Sequence, residues 1–599
     1  MRLLNIEKWN EAKAPTQFQG EGSSHELAAL LLTEVIQHSL HVSKLPVYAL
    51  YLDARSAFDL VLRELLIRNL FISGTTGEAL LYIDERLRNR NTYCEWDKNL
   101  MGPIKDTLGV EQGGVNSDSY YKLINNEQLF TAQKSKLGVT MGDITISAIG
   151  QADDVVLTSN NIYSLYNLLH LTLCYCTKYM VDLVPDKTKL QVFLPTSLAL
   201  LADYFTLSSP LSINSDKIVF TDTAEHVGVI RSTSGNLPNI MNRIKCHKKA
   251  MGAVLPAGLA RAHRANPAAS IRVNTLHGVP VLMSGLPTLV LKTPEINLVA
   301  AHHKKTLQNL QKLLPYTPDA VIFFLSGSLP GHAVLHQRQL SLFGMISLLN
   351  GNPIHEHAIR VLTTSKPSSM SWFVQVRDLC LMYGLPHPLT LLHNPLPKNQ
   401  MKNMVKKAVQ EYWQQKLRAK ASQMLSLVFF KTNFMSLSTP HPLWLTSTQN
   451  PYEINKAVVQ ARLLSGRYRT ESICRFWSNN PNGFCLLTAC SEHQTKEDVT
   501  HMLITCPSLS ATRSRLRTFL KSFADNHPVV LPVVSTFLDS SDSIYQTHFI
   551  LDCSTLPEII ILKQEHGFYI LEDLFYLTRT WCYSIHRERL KLLGRWNLS

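Results

Sequence analysis

The chain has 599 residues, 45% hydrophobic and 17% charged, and this balance excludes an intrinsically disordered protein. Because a typical domain holds ~150 residues, the length predicts two to four domains. Lysine and arginine number 59 against 45 acidic residues, and the net charge of +14 favours a polyanionic partner such as nucleic acid.

Neither a membrane span nor a secretion signal is predicted. Apolar runs such as 321–325 are far shorter than the ~20 residues that cross a bilayer. The start of the chain soon reaches Glu7, Lys8 and Asn10, which leaves no apolar signal core. Eleven cysteines in such a chain do not indicate a disulfide scaffold. We expect an intracellular protein of the nucleus, the cytoplasm or both, without a membrane partner.

The first third of the chain is predicted to mix helices and strands. Glu26–Gln37 has apolar residues at helical spacing after a Gly/Ser-rich turn, which is typical of an N-capped helix. Pro46–Asp53 is a short apolar run that ends in an acid, and it predicts a buried strand. Further on, the pattern predicts a helix at Ser56–Leu70, a hairpin at Ile144–Leu157 with Asp153 and Asp154 at its turn, and a helix at Ile162–Met180. The fold class is α+β.

From about residue 235 the pattern becomes basic and helical. Lys366–Ser369 and Pro386–Lys402 have the composition of connectors.

Asp53 and the adjacent Asp153 and Asp154 are the most informative acids. Two divalent metals about 3.5–4 Å apart require carboxylates on rigid strands, and these segments supply them. Mg²⁺ prefers oxygen ligands of this kind. Read singly, each segment is also explained by a solvated turn or a helix N-cap, so spacing alone leaves both interpretations open.

Five motifs, in their order along the chain, resemble those of reverse transcriptases from non-LTR (LINE-type) retrotransposons. They are Leu52–Asp59 (first catalytic palm motif), Gly109–Ser117 (Gln-Gly segment), Gln151–Asp154 (aromatic-Ala-Asp-Asp box), Pro185–Leu190 (lysine motif) and His226–Val229 (a weak copy of the primer-grip hairpin). Upstream, Gln17, Phe18 and the glycine turn at 20–24 resemble the segment before the palm. The resemblance covers about residues 15–235 and extends more loosely to Leu329–Gly344.

The resemblance implies that Asp53 and Asp153 bind two Mg²⁺ ions, or Mn²⁺ in their place, with Asp154 in support. It places Lys187 near the leaving pyrophosphate, although a solvated surface lysine is the alternative. Phe58 would lie below the sugar and exclude a 2′-hydroxyl; otherwise it is a core aromatic.

Three further residues are assigned to nucleotide or template by the same resemblance. Gln112 and Gly113 would let the chain approach the nucleotide closely, and the alternative is a plain glycine turn. Gln151 replaces the aromatic residue that packs near the primer end in the family.

A cysteine and histidine cluster near residue 500 has the spacing of a zinc site. Four residues separate the first two ligands, ten precede the histidine and four more precede the last cysteine, in the set Cys485, Cys490, His501 and Cys506. Three thiolates and one imidazole suit a closed tetrahedral Zn²⁺ site, and the segment resembles the zinc-binding tail of the same family. Cys474 and His493 are substitutes or spectators, and buried cysteines without metal are the alternative.

A basic and aromatic segment precedes the cluster. It contains Arg467, Tyr468, Arg469, Arg475 and Trp477. These residues would hold RNA by charge and stacking, or they form a solvated basic face.

The resemblance implies a right-hand polymerase palm with partial fingers, a mainly helical thumb and connector, and a small zinc-binding module. The implied divisions are 1–235 (palm with partial fingers), 236–330 (thumb-like basic helices), 331–470 (helical connector), 471–510 (zinc-binding module) and 511–599 (C-terminal helical tail). Only about 50 residues precede Asp53, so most of the fingers and the amino-terminal endonuclease of such elements are expected to be missing.

The predicted function is an RNA-directed DNA polymerase that uses an RNA template, a DNA primer and deoxynucleoside triphosphates. The alternative is a catalytically inactive remnant that binds RNA or DNA. A two-metal nuclease would explain the acids but not Gln112, Gly113 or the motif order.

Overall fold

The computed structural model describes residues 14–18, 24–105, 107–111, 114, 116–201, 211–213, 215–254, 265–447, 450–475, 480–491 and 494–594. The chain divides into two compact units. Unit 1 is Met1–Asn242, Met283–Glu295 and Leu335–Ala408, and unit 2 is Arg243–Leu282, Ile296–Val334 and Val409–Ser599.

All strands of length two or more belong to unit 1. They are β1 (Val47–Leu52), β2 (Asn91–Trp96), β3 (Asn99–Lys105), β4 (Val139–Met141), β5 (Ile144–Ile146), β6 (Ala148–Gln151), β7 (Asp154–Ser159), β8 (Lys189–Phe193), β9 (Ser212–Ile213), β10 (Asp216–Lys217), β11 (Val219–Phe220), β12 (Thr223–His226) and β13 (Val229–Ser232), as far as the described residues go.

The helices are distributed over both units. In chain order they are α1 (His25–His38), α2 (Arg63–Ile72), α3 (Gly77–Arg88), α4 (Ser117–Ser135), α5 (Ile162–Tyr179), α6 (Leu237–Val254), α7 (Pro267–Val273), α8 (Val279–Met283), α9 (Thr293–Leu310), α10 (Asp319–Ser326), α11 (Gly331–Ile346), α12 (Pro353–Thr364), α13 (Trp372–Met382), α14 (Pro388–His393), α15 (Lys398–Ser422), α16 (Pro442–Leu445), α17 (Pro451–Leu464), α18 (Glu471–Cys474), α19 (Thr488–Ser491), α20 (Ser510–Asp525), α21 (Leu531–Asp539), α22 (Ser543–Asp552), α23 (Pro557–His566) and α24 (Tyr569–Leu592). Helices α1–α5 and α12–α14 lie in unit 1, α7, α10 and α16–α24 lie in unit 2, and the others contribute residues to both.

The main sheet of unit 1 has five strands in the order β11-β8-β1-β7-β6. Its central strand β1 is antiparallel to both neighbours, β7 and β8. Alternate side chains of β1, at Tyr48, Leu50 and Leu52, join the apolar core formed with helices α4 and α5. A strand buried on both faces explains why its sequence is a continuous apolar run.

Helix α1 begins where the sequence predicts. Ser24 is its N-cap and accepts a hydrogen bond from the Leu27 N–H at 3.3 Å. The helix nonetheless buries an acid, Glu34, whose oxygens accept bonds from Ser371 Oγ at 2.8 Å, the Trp372 N–H at 2.8 Å and His357 Nε2 at 3.1 Å. Unit 1 is therefore closed by a buried polar network as well as by apolar contacts.

We expect Glu34→Ala to lower the free energy of unfolding by about 3 kcal/mol, because the Trp372 N–H and the Ser371 hydroxyl lose their buried acceptor. Urea denaturation measures this loss. The control Glu78→Ala, at an exposed position of helix α3, should change the value by less than about 0.5 kcal/mol. A loss below 1 kcal/mol for Glu34→Ala would contradict the assigned network.

Two predicted segments differ from the structure. The helix predicted over Ser56–Leu70 begins only at Arg63, because Val110 donates its N–H to the Phe58 carbonyl at 2.9 Å and holds that stretch as a turn. The predicted connector Pro386–Lys402 contains helix α14 and the start of α15. In the first segment a long-range hydrogen bond overrides the helical preference of the sequence. In the second, helices form in spite of the proline content.

Strands β2 and β3 form a separate two-stranded ribbon. Nearly every residue of the ribbon is exposed, and Trp96 at its end is 78% exposed.

Unit 2 is built from helices around one apolar core. The largest fully buried apolar side chains of this core are Phe324, Trp444, Phe537, Phe549, Phe575 and Trp581. In the described part of the chain, no helix combines the length and the apolar character that a bilayer span requires. The domain divisions given above stay predictions.

Candidate active site

Asp53 follows the central strand of the main sheet directly. All six residues of β1 are buried, and the register of the strand pairs Leu52 with Val155 of β7. The end of β1 and the start of β7 therefore meet at one edge of the sheet. The predicted buried strand with Asp53 at its tip is confirmed.

Strands β6 and β7 form the predicted hairpin. Ala152 and Asp153 make its turn, and Gln151 pairs with Asp154. Ala152 has a φ of 55°, a left-handed conformation that costs a residue with a side chain about 1 kcal/mol. Asn125 Nδ2 donates to the Ala152 carbonyl at 2.9 Å and holds the turn in place.

The two adjacent acids line different cavities. Asp154 lines a cleft of about 310 Å³ together with Asp53 and Glu225. Asp153 lines a much smaller cavity with Tyr121. The structure thus places all three predicted carboxylates at one sheet edge but gives each member of the pair its own surroundings.

Negative charge accumulates around Asp154. The pKa of its carboxyl is raised to about 6, first by burial among the walls of the cleft and then by the charges of Asp153, Asp53 and Glu225. The Val227 N–H opposes this shift by donating a hydrogen bond to the carboxylate. Four acids at this edge make an electronegative pocket that favours a cation.

Lys187 stands at the rim of the same cleft, with its Nζ 3.4 Å from Asp53 Oδ2. The loop that carries it is tied to the end of β1, since Val184 donates its N–H to the Asp53 carbonyl at 2.9 Å. The lysine side chain is largely exposed, so its ion pair contributes little to stability and leaves the ammonium group accessible.

Phe58 lies on the side of the smaller cavity. Its ring stacks on Tyr121 of helix α4 with 4.9 Å between ring centroids and an interplanar angle of 27°. Gly109 packs against the same loop: its φ is +82°, and a Cβ there would come within 2.5 Å of the Asp59 carbonyl oxygen. Only glycine fits this approach, which brings the start of the Gln-Gly segment beside Phe58.

Gln112 and Gly113 lie outside the described residues. Their neighbour Val110 is buried and bonds to Phe58, as described above.

Gln151 ends strand β6 with its side-chain oxygen Oε1 buried and without a hydrogen-bond partner. On the other edge of β6, Phe18 donates its N–H to the Gly150 carbonyl at 2.9 Å, and Gly150 donates to Thr16 at 3.1 Å. The predicted upstream segment therefore adds to the hairpin that carries the acids.

Strands β12 and β13 form a tight hairpin with Val227 and Gly228 at its turn, where φ is 45° and 77°. The sequence predicts this hairpin but not the role of Glu225, whose negative charge helps to raise the pKa of Asp154. The signal available was the alternation of buried and exposed residues along β12, which puts Glu225 on the exposed side.

The four predicted zinc ligands come together in unit 2. The ligand atoms of Cys485, Cys490, His501 and Cys506 lie within 4.8 Å of one another, and all four residues are buried. Cys490 Sγ is 3.5 Å from His501 Nε2 and 3.5 Å from Cys506 Sγ. Cys474 is buried but outside this group, and His493 lies outside the described residues.

A buried ion pair supports the cysteine group from one side. Glu497 Oε1 lies 4.0 Å from Cys485 Sγ, and the same carboxylate accepts two bonds from Arg589 of helix α24, at 2.7 and 2.6 Å. Glu471 adds a second acid at 3.7 Å from Arg589. The guanidinium thus balances the negative charge of these two buried acids, which would otherwise be costly to bury.

The predicted RNA-stacking role of Tyr468 is not compatible with its position. Tyr468 is buried, and its hydroxyl bonds to His586 Nδ1 at 2.5 Å. A side chain held in this way presents no free ring face to a base. Trp477 lies outside the described residues.

Comparison with known proteins finds a similarity in the segment that contains the carboxylates. Residues 10–230 match the profile of the family described as reverse transcriptase (RNA-dependent DNA polymerase). The hairpin acids and the end of β1 lie within this matched segment.

No curated protein matches the chain. Among the solved structures that are similar is a telomerase from Candida albicans in complex with a TWJ fragment of telomeric RNA, with 13% identity and a TM-score of 0.25 over 62% of this chain. The chain covers 56% of that telomerase chain.

Proposed function

We propose that the protein is an RNA-directed DNA polymerase of a LINE-type retroelement, which extends a DNA primer along an RNA template. The observation that carries the proposal is the cleft in which Asp53 and Asp154 face each other beside Asp153, inside the segment that matches the reverse transcriptase family. Its reaction requires RNA, DNA and deoxynucleoside triphosphates, which meet in the nucleus or the cytoplasm.

The donor atoms of the cleft fit a hard divalent cation. They are carboxylate oxygens on rigid strand ends, and burial together with the charges of Asp153, Asp53 and Glu225 raises the pKa of Asp154. Asp53 in the cleft and Asp153 at the adjoining smaller cavity would hold two Mg²⁺ ions, or Mn²⁺, with Asp154, which lines the cleft beside Asp53, in support. When bound, such ions promote attack by the primer 3′-hydroxyl and stabilise the leaving pyrophosphate.

The protein groups around the cleft orient the reactants and supply charge. Lys187 would stand beside the leaving pyrophosphate, where its ammonium group offers a proton or a positive charge. The unpartnered Oε1 of Gln151 would accept a hydrogen bond from the primer end. Gln112 and Gly113 would contact the nucleotide and the template.

The LINE-type assignment rests on the motif order and on the buried Cys₃His group that follows the domain. That group has the donor set of a closed structural Zn²⁺ site. A structural ion there would stabilise unit 2 without entering the reaction.

The test is primer extension on an RNA template with the full chain, with Mg²⁺ and with chelator. Extension that requires Mg²⁺ and all four deoxynucleotides supports the proposal. Binding of the primer–template without extension would instead favour a remnant that only binds nucleic acid. Template degradation without extension would favour a nuclease.

We expect Phe58→Ala to raise ribonucleotide incorporation relative to deoxynucleotide incorporation by about tenfold or more. The phenyl ring stacked on Tyr121 would fill the space below the sugar, and removing it would admit a 2′-hydroxyl. Competition between the two nucleotides in single-turnover extension measures the ratio. Phe71→Ala, which removes an exposed ring from helix α2, is the control, and equal ratios in both variants would contradict this role of Phe58.

A further inference from the structure

The hairpin β12–β13 forms its own two-stranded sheet, so contacts outside the main sheet must fix its distance from β1. That distance matters because Val227 at the hairpin turn donates its N–H to Asp154. Two buried polar residues outside the site motifs, Gln191 and Arg231, make those contacts.

We propose that Gln191 and Arg231 are positioning residues, which act on the reaction by holding hairpin β12–β13 against the strand that carries Asp53. The proposal rests on the polymerase function proposed above.

Gln191 links strand β1 to the open end of the hairpin, where Asp222 precedes β12 and Arg231 lies in β13. It is 0% exposed, and its Oε1 accepts a bond from the Tyr51 hydroxyl at 2.9 Å. Its Nε2 donates to the carbonyls of Asp222 at 2.9 Å and Arg231 at 3.1 Å. Two carbonyl acceptors require the amide nitrogen to face the hairpin, so the network fixes the orientation of the side chain.

Arg231 ties the same hairpin to helix α1. Its guanidinium is buried and donates to Thr33 Oγ1 at 3.0 Å and to the Ala29 carbonyl. Both acceptors are neutral, and burial lowers the pKa of Arg231 to about 10. Methionine would fill the same space without the cost of burying a charge, so stability alone does not account for an arginine here.

The described neighbour His226 makes none of these hydrogen bonds. His226 lies in the same buried layer, 6.1 Å from the Tyr51 ring by centroids, and neither of its ring nitrogens has a hydrogen-bond partner. If Gln191 is removed, the Arg231 carbonyl loses a buried donor, while the Asp222 carbonyl keeps the Thr233 N–H at 3.1 Å.

The test uses Gln191→Met, which keeps the length of the side chain and removes its hydrogen bonds, and Arg231→Met. Thr172→Val is the matched control, because Thr172 is buried in helix α5 and bonds to the Leu168 carbonyl at 3.0 Å, away from the hairpin. Hydrogen exchange over residues 223–232 reports the position of the hairpin without any need for activity. Primer extension then gives KM for primer–template and for nucleotide separately.

We expect both methionine variants to speed exchange over 223–232 by about tenfold, with strand β1 unchanged, and to raise KM for primer–template by about tenfold with a smaller change in KM for nucleotide. The control should change neither. Unchanged hairpin exchange, equal effects on both KM values, or loss of protection throughout β1 in both variants would overturn the proposal. An inactive wild-type chain would refute the polymerase function, while the exchange result would still decide the positioning role.

Discussion

Asp53→Asn is expected to lower nucleotide incorporation by about a thousandfold or more, which corresponds to about 4 kcal/mol of transition-state stabilisation. The amide keeps the shape of the carboxylate but removes the charge that faces Asp154 across the cleft. Single-turnover extension of a DNA primer on RNA measures the loss.

The same substitution should leave folding intact, which separates chemistry from stability. Asp53 is one of several acids that repel each other around Asp154, so its neutralisation relieves repulsion in the absence of metal. The unfolding midpoint of Asp53→Asn should equal or exceed that of the wild type, and primer–template binding should persist.

Asp143→Asn is the matched control, because Asp143 is exposed in the turn between β4 and β5 of the same unit. It should extend the primer at the wild-type rate. Incorporation by Asp53→Asn within tenfold of the wild type would remove Asp53 from the proposed metal site.

The second large effect is expected at the cysteine group. We expect the purified chain to hold one Zn²⁺, and Cys490→Ser to abolish zinc binding and cost unit 2 about 5 kcal/mol or more. The reason is that Cys490 Sγ lies 3.5 Å from both His501 Nε2 and Cys506 Sγ, so its removal opens the site. Elemental analysis and thermal unfolding measure the two effects.

Cys474→Ala is the control for this experiment, since Cys474 is a buried cysteine outside the group of four. It should retain full zinc content with a loss of about 1–2 kcal/mol. Zinc-free wild-type protein with an unchanged melting temperature in Cys490→Ser would show that the cysteines are packing residues.

The sequence predicted those parts of the site that depend on local pattern. A continuous apolar run marked β1 and placed Asp53, and an apolar-acid-acid segment marked the hairpin of Asp153 and Asp154. Ligand spacing marked the group around Cys490. In each case the signal lies in a short segment: an apolar run that ends in an acid, two adjacent acids, or cysteines and a histidine at ligand spacing.

The remaining features depend on contacts between distant segments, which local sequence does not specify. The stretch after Ser56 is a turn because Val110 bonds to Phe58, although its composition suits a helix. Glu225 joins the site only because its hairpin lies beside Asp154, and Gln191 looks like any strand residue until its three hydrogen bonds are known. The burial of Tyr468 could not be predicted from local sequence either, because its hydroxyl bonds to His586, 118 residues later.

The ion pair between Glu497 and Arg589 has a consequence for the order of events during synthesis. The two residues are 92 positions apart, and the arginine is translated after the whole cysteine segment. Until it emerges from the ribosome, Glu497 and Glu471 lack the guanidinium that pairs with both of them. The buried acids beside the cysteine segment are therefore paired with Arg589 only once helix α24 has been made and has packed against them.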